Sequence, residues 1–190
     1  MNTTRDHILD CAPKVFAERG YSGASTRVLA EVAGVNISTL AYHFGNKQGL
    51  YDAVVDQVYV ALIERLSISI SGDTPADRVR HLMAQLYPAA VAQRDGIRVL
   101  LRAVMTEGAL PSHVTERWQT KAIERASAVL SMLDLPDGGD RRLTLLSINH
   151  LMARYAVSEP ADILPFVDGD PHQAVAAHLG ELAVKALNLE

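Results

Sequence analysis

Apolar side chains recur at intervals of three and four residues along almost the whole chain. That interval places them on one face of an α-helix, whereas the strict alternation of a half-buried strand does not extend over any useful length. Clusters of glycine and proline interrupt the pattern and mark the ends of individual helices. The sequence therefore predicts an all-α protein.

Two short helical patterns with a glycine between them occupy residues 25–50. Ser25 and Thr26 can cap the first helix with a side-chain oxygen, and Asn36 can cap the second. Gly34 suits the turn between them because glycine adopts left-handed backbone without strain. Two helices joined in this way predict a helix-turn-helix, whose second helix enters the major groove of DNA. The inward face of the first helix is expected to consist of Val28, Leu29, Val32 and Ala33.

The second of these helices has its apolar anchors at Leu40 and Phe44, which leaves its other side facing outward. Hydroxyl, imidazole and short aliphatic groups on that side can contact phosphates and base edges. Lys47 follows at the start of the next helix, where a cation is well placed beside a phosphate. The predicted DNA-binding residues are Ser25, Thr26, Arg27, Asn36, Ile37, Ser38, Thr39, Tyr42, His43 and Lys47.

The remaining chain is also predicted to be helical. Thr74, Pro75 and Asp77 form a helix start, with a capping residue, a first-turn proline and a capping-box acid. A proline inside a helix removes one backbone hydrogen bond, so Pro13 is expected to bend the first helix and Pro88 to bend or end a later one. The predicted helices lie at about 47–70, from Pro75 to Pro88, over Ile97–Met105, at about 112–133 and 141–157, and from Pro171 to Ala186.

The last two predicted helices carry a large apolar surface. Apolar residues surround the axis of the helix over 141–157, which requires apolar neighbours on more than one side. The last helix places Ala176, Gly180 and Ala183 at steps of four and three, which lets another helix approach closely. Both features predict a homodimer, although small-residue stripes also occur inside monomers. The predicted dimer interface consists of Leu145, Ile148, Met152, Ala176, Leu179, Gly180, Ala183 and Leu187.

Residues 8–51 combine several short motifs. They read FAERGY over 16–21, ST over 25–26, LA over 29–30, AGV over 33–35 and YHFGNKQGL over 42–50. Together these motifs resemble the N-terminal domain of the TetR family of transcriptional regulators. One position departs from that family, because Ala41 stands where an aromatic residue is usual, which removes one expected DNA contact.

The resemblance implies an architecture and a mode of action. An N-terminal three-helix helix-turn-helix domain over residues 1–46 is expected to bind DNA, and a C-terminal helical domain over residues 47–190 to bind a ligand and to dimerise. Two reading helices related by a two-fold axis, about 34–36 Å apart, predict an inverted-repeat operator in double-stranded DNA. Release from that operator by a small-molecule effector makes a repressor the expected role.

Between residues 74 and 157 several large or polar side chains lie on or beside the apolar stripes. Apolar walls with a few polar groups are the usual composition of a small-molecule pocket. His150 is expected on the buried side of its helix. A core tryptophan and arginines that reach solvent are the alternative interpretation of the same pattern. The predicted effector pocket consists of Tyr87, Arg98, Arg102, Met105, Trp118, Lys121, Asn149 and His150.

The net charge of −4 is unevenly distributed. Residues 1–50 carry five basic and four acidic side chains, giving +1, and residues 51–190 carry thirteen basic and eighteen acidic ones, giving −5. The acidic excess therefore lies outside the predicted DNA-binding head. A weakly basic head gains little from general attraction to phosphates, so direct contacts and symmetry have to contribute more.

The N-terminal residues do not resemble a secretory signal, because charged side chains such as Arg5, Asp6 and Lys14 interrupt every apolar run. No window approaches the roughly 20 uncharged residues that a membrane span needs. A cytoplasmic protein without a membrane partner is therefore expected. The single cysteine, Cys11, excludes an intramolecular disulfide and is expected to be a small core residue, with a redox sensor as the alternative.

Two other classes of function are alternatives to a regulator. The sequence has no glycine-rich phosphate loop, no His-Glu-x-x-His and no cysteine pair, so neither an enzyme nor a bound cofactor is expected. His172 and His178 are six residues apart and fall on different faces of a helix, which is unfavourable for a metal site. The other alternative is a helical dimer whose near-neutral head, with Ala41, has become a protein-interaction surface and no longer binds DNA.

Overall fold

The computed structural model describes residues 3–64, 68–107, 112–135 and 141–189. Over these ranges the regular structure is helical and contains no strand, which confirms the all-α prediction. A π-helix follows α4 over Val60–Glu64, and a 3₁₀ turn follows α9 over Leu164–Phe166. The α-helices are α1 (Thr4–Gly23), α2 (Thr26–Val32), α3 (Ile37–Phe44), α4 (Lys47–Tyr59), α5 (Pro75–Ala92), α6 (Arg94–Glu107), α7 (Ser112–Leu133), α8 (Arg142–Ala156), α9 (Pro160–Ile163) and α10 (Pro171–Ala186).

The chain forms two compact units. The first comprises the described residues within 1–65 and 95–121, and the second those within 66–94 and 122–190. The boundary expected at residue 46/47 separates a DNA-binding from a regulatory function, and this structural division does not test it. It stays a prediction.

The first four helices of the first unit enclose one apolar core. Three of its aromatic rings contact one another: Tyr51 meets Phe16 and Tyr21 edge-on, with ring centroids 5.1 Å apart in both pairs. Edge-to-face contacts of this kind are the favoured geometry for aromatic pairs. The side chains that are at most 2% exposed in this core include Ile8, Ala12, Phe16, Leu29, Leu40, Leu50 and Val54.

Helix α1 departs from helical geometry near its end, at Gly20 (φ 70°, ψ 171°). A positive φ of this size is accessible to glycine at little cost and strained for other residues. The bend had been expected at Pro13, which lies inside α1, whereas the residue of this helix with non-helical backbone angles is Gly20. The chain therefore leaves α1 through a glycine break toward the helix-turn-helix.

Helix α4 is shorter than its apolar pattern suggests. The prediction of one helix over about 47–70 is wrong at its far end, because α-helical geometry stops at Tyr59, a π-helix follows, and residues 68–70 are not helical. Helix α6 approaches α4 closely at Gly96, where a Cβ atom would overlap the side chain of Val58. Gly96 lies inside α6, because this helix begins at Arg94, before the start predicted at Ile97.

Helix α5 begins in the second unit as predicted. Thr74 is its N-cap, Pro75 is its first residue, and Thr74 and Asp77 form a reciprocal capping box. Pro88 was expected to bend or end the helix, but α5 continues to Ala92. A proline costs the helix one hydrogen bond and crowds the preceding turn. Because Tyr87 and Ala90 beside it are buried, tertiary packing holds the helix through this position.

Helix α10 packs along α5. Asp170 caps α10 and Pro171 is its first residue, as predicted. A Cβ atom at Gly180 would lie 3.4 Å from the backbone of Arg80, so glycine allows the two helices to approach. Arg80 Nε also donates to Glu181 Oε1 at 2.7 Å.

The short helix α9 and the 3₁₀ turn after it were not predicted. They contain Pro160 and Pro165, which favour the first positions of short helices but leave little periodicity to detect. Two of the glycine- and proline-containing segments that mark predicted helix ends, residues 108–111 and 136–139, lie outside the described residues. None of the helices in the described part of the chain combines the length and the apolar character needed to cross a membrane.

Candidate nucleic-acid interface

Local caps build the helix-turn-helix. Ser25 Oγ accepts a hydrogen bond from the Val28 amide at 3.2 Å and starts α2. Gly34, with φ 63°, provides the left-handed turn. Asn36 Oδ1 accepts from the Thr39 amide at 2.7 Å and starts α3. The predicted caps and turn are therefore confirmed.

The inner face of the motif anchors α3 to the core. Leu40 is 1% exposed and Leu29 is 2% exposed, whereas Phe44 is half-buried. The prediction that Val32 faces inward is wrong, because 50% of that side chain is exposed. The buried positions at this end of α2 are Leu29, Ala30 and Ala33, at most 3% exposed, so Val32 falls on the other side of the helix.

The outward side of α3 combines aromatic, aliphatic and hydroxyl groups. Tyr42 is 83% exposed and Ile37 is 50% exposed, although both are large apolar residues. The Tyr42 and His43 rings lie 5.1 Å apart. Of the predicted DNA-binding residues, Ser25, Arg27, Asn36, Ile37, Ser38 and Tyr42 are exposed, and Thr26, Thr39, His43 and Lys47 are half-buried.

Asn36 organises the first turn of α3 beyond its capping bond. Its Oδ1 atom also accepts from Ser38 Oγ at 2.6 Å and from Thr39 Oγ1 at 2.8 Å. Three donors therefore converge on one carbonyl oxygen. The two hydroxyls are held in fixed orientations on the outward side of the motif.

Lys47 has a structural role that the sequence did not indicate. Its ammonium donates to the Tyr21 carbonyl at 2.9 Å and lies 4.3 Å from the centre of the Tyr21 ring. A cation over an aromatic face is attracted by the ring quadrupole. Lys47 thus ties the start of α4 to the exit of α1. The partner is 26 residues away, so local pattern carried no signal for it.

Arg5 is a cation near the recognition helix that sequence reasoning missed. Its guanidinium lies 5.2 Å from the centre of the Phe44 ring, at the end of α3, and its side chain is exposed. The signal available in the sequence was a basic residue at the start of the first helix of a helix-turn-helix domain.

The eight predicted effector residues are distributed over both units. Arg98, Arg102, Met105, Trp118 and Lys121 belong to the first unit, and Tyr87, Asn149 and His150 belong to the second. His150 and Asn149 are exposed, so the expectation of a buried His150 is wrong. The same side of the helix is open, since Leu143 and Leu146, seven and four residues before His150, are 75% and 48% exposed. Met105 is 78% exposed.

Trp118 connects α7 to α4. Its indole Nε1 donates to Asp56 Oδ1 at 2.8 Å, and Arg117 donates to the other oxygen of the same carboxylate at 2.6 Å. The indole stacks on Tyr59 with ring centroids 5.3 Å apart, and the Lys121 ammonium lies 4.7 Å from its centre. Trp118 is only 4% exposed, so it is part of the core beside α4.

Arg102 extends from α6 to α1. Its guanidinium donates to the Ala17 and Glu18 carbonyls, each at 3.3 Å. These carbonyls lie just before the break at Gly20, where a Cβ atom would approach Arg102 Nε to 2.7 Å. Glycine therefore leaves the space that the guanidinium occupies. Arg98, one turn earlier, forms an ion pair with Asp95 at 3.4 Å.

Tyr87 is buried in the second unit, with its hydroxyl 3.2 Å from Nδ1 of His172. Burial raises the pKa of this phenol above its ordinary value. His172 also lines a groove of about 610 Å³ between α5 and α10, which the sequence did not predict because its walls are about 85 residues apart. The lining residues are Arg80, Ala84, Pro88, Val91, His172, Gln173, Ala176, Ala177, Gly180 and Glu181.

The predicted dimer residues fall into two groups. Leu145, Ile148, Met152 and Ala176 are half-buried. In contrast, Leu179, Gly180, Ala183 and Leu187 are buried within this chain, and α10 uses its small residues to pack on α5. The expectation that these four are open to a partner is therefore corrected. A role of the half-buried group in a dimer stays a prediction.

Cys11 and the two late histidines each contact neighbouring side chains. Cys11 is half-buried against the core, and its Sγ lies 4.0 Å from Nε2 of His7. His172 contacts Tyr87, whereas His178 contacts the Tyr155 ring. The described residues contain no group of three or more His, Cys, Asp or Glu side chains arranged to hold a metal ion.

Comparison with known proteins finds a family match for the region that contains the helix-turn-helix. Residues 8–54 match the family model described as bacterial regulatory proteins, tetR family. The probable HTH-type transcriptional regulator YttP of Bacillus subtilis is 25% identical over 122 residues, which cover 63% of this chain and 59% of that protein. The class D tetracycline repressor of Escherichia coli is 30% identical over 97 residues, which cover 51% and 44%. The chain thus spans about half the length of these curated relatives.

The likeness of fold extends over nearly the whole chain. The crystal structure of PfmR, a TetR-family regulator from Thermus thermophilus, aligns with a TM-score of 0.70 and 21% identity over 97% of each chain. The relatives are transcriptional regulators and not enzymes. Residues 8–54 thus carry the N-terminal domain of the TetR family of transcriptional regulators, and the chain as a whole has the helical fold of TetR-family structures.

Proposed function

We propose that this protein is a repressor that binds an inverted-repeat operator in double-stranded DNA as a homodimer and is released by a small-molecule effector. The outward side of α3 is the observation that carries the proposal. Exposed Tyr42 and Ile37 lie beside the hydroxyls of Ser38 and Thr39, on a helix anchored by buried Leu40. Aliphatic, aromatic and hydroxyl groups on one rigid helix are suited to base edges and thymine methyls in a major groove.

Contacts to the DNA backbone are proposed for the cations around this surface. Arg27 is exposed on α2, and Arg5 lies over Phe44 at the end of α3. Lys47 contributes through a half-buried ammonium that is already held by Tyr21. Because Ala41 offers no aromatic contact, Tyr42 and His43 have a larger share of the binding.

The dimer is supported by the apolar surface of α8. Leu143, Leu146 and Leu151 are 75%, 48% and 37% exposed. Removing such leucines from water is favourable, and a second copy of α8 is an apolar partner of the same kind. The half-buried Leu145, Ile148 and Met152 on the same helix are proposed to line this contact. Two copies related by a two-fold axis then present two α3 helices to two half-sites.

Effector release requires a ligand that prefers the conformation that does not bind DNA. Helix α4 begins at Lys47, beside the helix-turn-helix, and reaches Trp118 and Arg117 through Asp56. A ligand that moves α7 is therefore able to move α4. The name of the tetracycline repressor, a curated relative, shows that a small molecule is associated with repression in that protein.

Selection of bound DNA from a random pool tests the function. We expect an inverted repeat whose half-site centres are about 10–10.5 base pairs apart or slightly more, with retention that falls as salt rises. Tyr42→Ala should weaken binding of the selected site by about tenfold, whereas Met105→Ala should not, because this equally exposed apolar residue lies outside the helix-turn-helix. Retention of no sequence at low salt contradicts DNA binding. A single asymmetric site contradicts the dimeric mode.

A further inference from the structure

The polarity of the hydroxyls on α3 follows from the bonds made by Asn36. A backbone amide only donates, so the side-chain atom that the Thr39 amide contacts at 2.7 Å is the carbonyl oxygen Oδ1 of Asn36. That oxygen has no hydrogen. Ser38 Oγ at 2.6 Å and Thr39 Oγ1 at 2.8 Å are therefore the donors in their bonds to it.

A hydroxyl has one hydrogen and two acceptor lone pairs. Ser38 and Thr39 both direct that hydrogen at Asn36, so each presents only lone pairs to the outside. Ser38 and Asn36 are exposed and Thr39 is half-buried, on the surface proposed to face DNA. Toward the outside of the first turn, the hydroxyls of Ser38 and Thr39 can thus only accept hydrogen bonds.

This polarity selects among DNA groups. Phosphate oxygens accept hydrogen bonds, as do guanine O6 and thymine O4, and none of them can donate to a hydroxyl that has already used its hydrogen. Adenine N6 and cytosine N4 are the amino donors of the major groove. Each kind of base pair contains one such group, so an acceptor distinguishes the two orientations of a pair but does not distinguish A·T from G·C.

We infer that Asn36 is a specificity-determining positioning residue, which fixes Ser38 and Thr39 as hydrogen-bond acceptors and directs them to the exocyclic amino group of adenine or cytosine on one strand of each half-site. The inference rests on the proposed function, since it concerns the base preference of the proposed interface. Asn36 acts through the two hydroxyls and not by contact of its oxygen with DNA.

Two substitutions separate this role from helix capping. In Asn36→Ser the serine oxygen still accepts from the Thr39 amide, because serine is an effective N-cap, but a serine hydroxyl both donates and accepts and no longer fixes the polarity of its neighbours. Thr39→Val keeps the shape of the side chain and removes its hydroxyl. Thr39→Ser is the matched control, because it keeps the hydroxyl and its bond to Asn36.

Selection from a random DNA pool is performed with the full-length wild type and these variants, after thermal melting has shown that each is folded. We expect the wild type to prefer adenine or cytosine over guanine or thymine at one position of each half-site by about fivefold, the value of roughly one hydrogen bond. At the position contacted by Thr39, Asn36→Ser and Thr39→Val should both lose that preference and Thr39→Ser should keep it, whereas Thr39→Val leaves Ser38 in place as a separate acceptor. In the Asn36→Ser/Thr39→Val double variant the loss should equal that of either single variant.

The failures of the two ideas differ. If the wild type retains no DNA, the proposed function fails and the inference fails with it. If an operator is selected but its preference is the same in Asn36→Ser and Thr39→Val as in the wild type, or if guanine or thymine is preferred at the position that Thr39→Val alters, the function stands and the role of Asn36 is wrong.

Discussion

The helix-turn-helix and helix α8 differ in how far their leucines are exposed to solvent. In the helix-turn-helix Leu29 and Leu40 are 2% and 1% exposed, and large exposed groups such as Tyr42 lie on one outward side. In α8 Leu143 and Leu146 are 75% and 48% exposed. The helix-turn-helix buries its leucines within its own unit, so its exposed side chains, such as Tyr42, are available to contact DNA. Helix α8 leaves aliphatic surface in water, which indicates a partner for that surface.

The largest expected effect separates these two classes of leucine. Leu40→Ala should lower the free energy of unfolding by about 2–5 kcal/mol, because it removes a buried side chain and leaves a cavity. Leu143→Ala should leave the folding of a subunit nearly unchanged and weaken the proposed dimer. Thermal unfolding and sedimentation at several protein concentrations measure both effects. The contrast between buried and exposed leucines is wrong if both variants lose the same stability and the sedimenting mass of Leu143→Ala equals that of the wild type.

A second prediction compares two cations of the DNA-binding head: Lys47, which stabilises the fold, and Arg27, which lies at the surface. Lys47→Ala should lower both stability, by about 1 kcal/mol, and DNA affinity, because the ammonium holds the Tyr21 carbonyl. Arg27→Ala, at an exposed position, should lower DNA affinity and its salt dependence with little change in melting temperature. Melting curves and binding at several salt concentrations give the two quantities. Unchanged stability of Lys47→Ala removes the structural role of this residue.

The smallest expected effect concerns Asp77, an acid in the capping box of α5, in comparison with an ordinary surface acid. The hydrogen bond from the Thr74 side chain holds the pKa of Asp77 below its usual value, so Asp77 stabilises α5 when ionised. A lowered folded-state pKa means that this contribution is present above the unfolded value of 3.8 and is lost as pH falls through the folded value. The melting temperature of wild type should exceed that of Asp77→Asn at neutral pH, and the gap should narrow below pH 3.8. An equal gap at all pH values contradicts this origin, and Asp168→Asn, at another exposed acid, is the control.

Short-range chemistry accounts for the features that were predicted correctly. Ser25, Asn36, Thr74 and Asp170 each cap a helix by bonding an amide three residues ahead, so both partners lie within one turn of sequence. The exposed side of α3 followed in the same way from the spacing of Leu40 and Phe44. Most of the proposed DNA-contacting surface could therefore be predicted from the sequence of residues 25–50.

Long-range packing accounts for the errors. Pro88 does not end α5, because buried Tyr87 and Ala90 hold the helix on either side of it. His150 lies on an apolar stripe, but that stripe faces outward in this chain. Arg102 was expected in a pocket and instead fits the space left by Gly20, about 80 residues earlier. In each case the neighbour that decided the outcome is absent from the local pattern.

The sequence alone determined the all-α class, the helix-turn-helix and the caps that start its helices, since these depend on groups within one turn of each other and on a periodicity that any helix must have. Only the tertiary structure decided which apolar faces are covered and that Lys47 and Arg102 bind backbone carbonyls of α1. The physical reason is that burial and these two side-chain bonds depend on neighbours that are distant in sequence, which a local pattern does not contain.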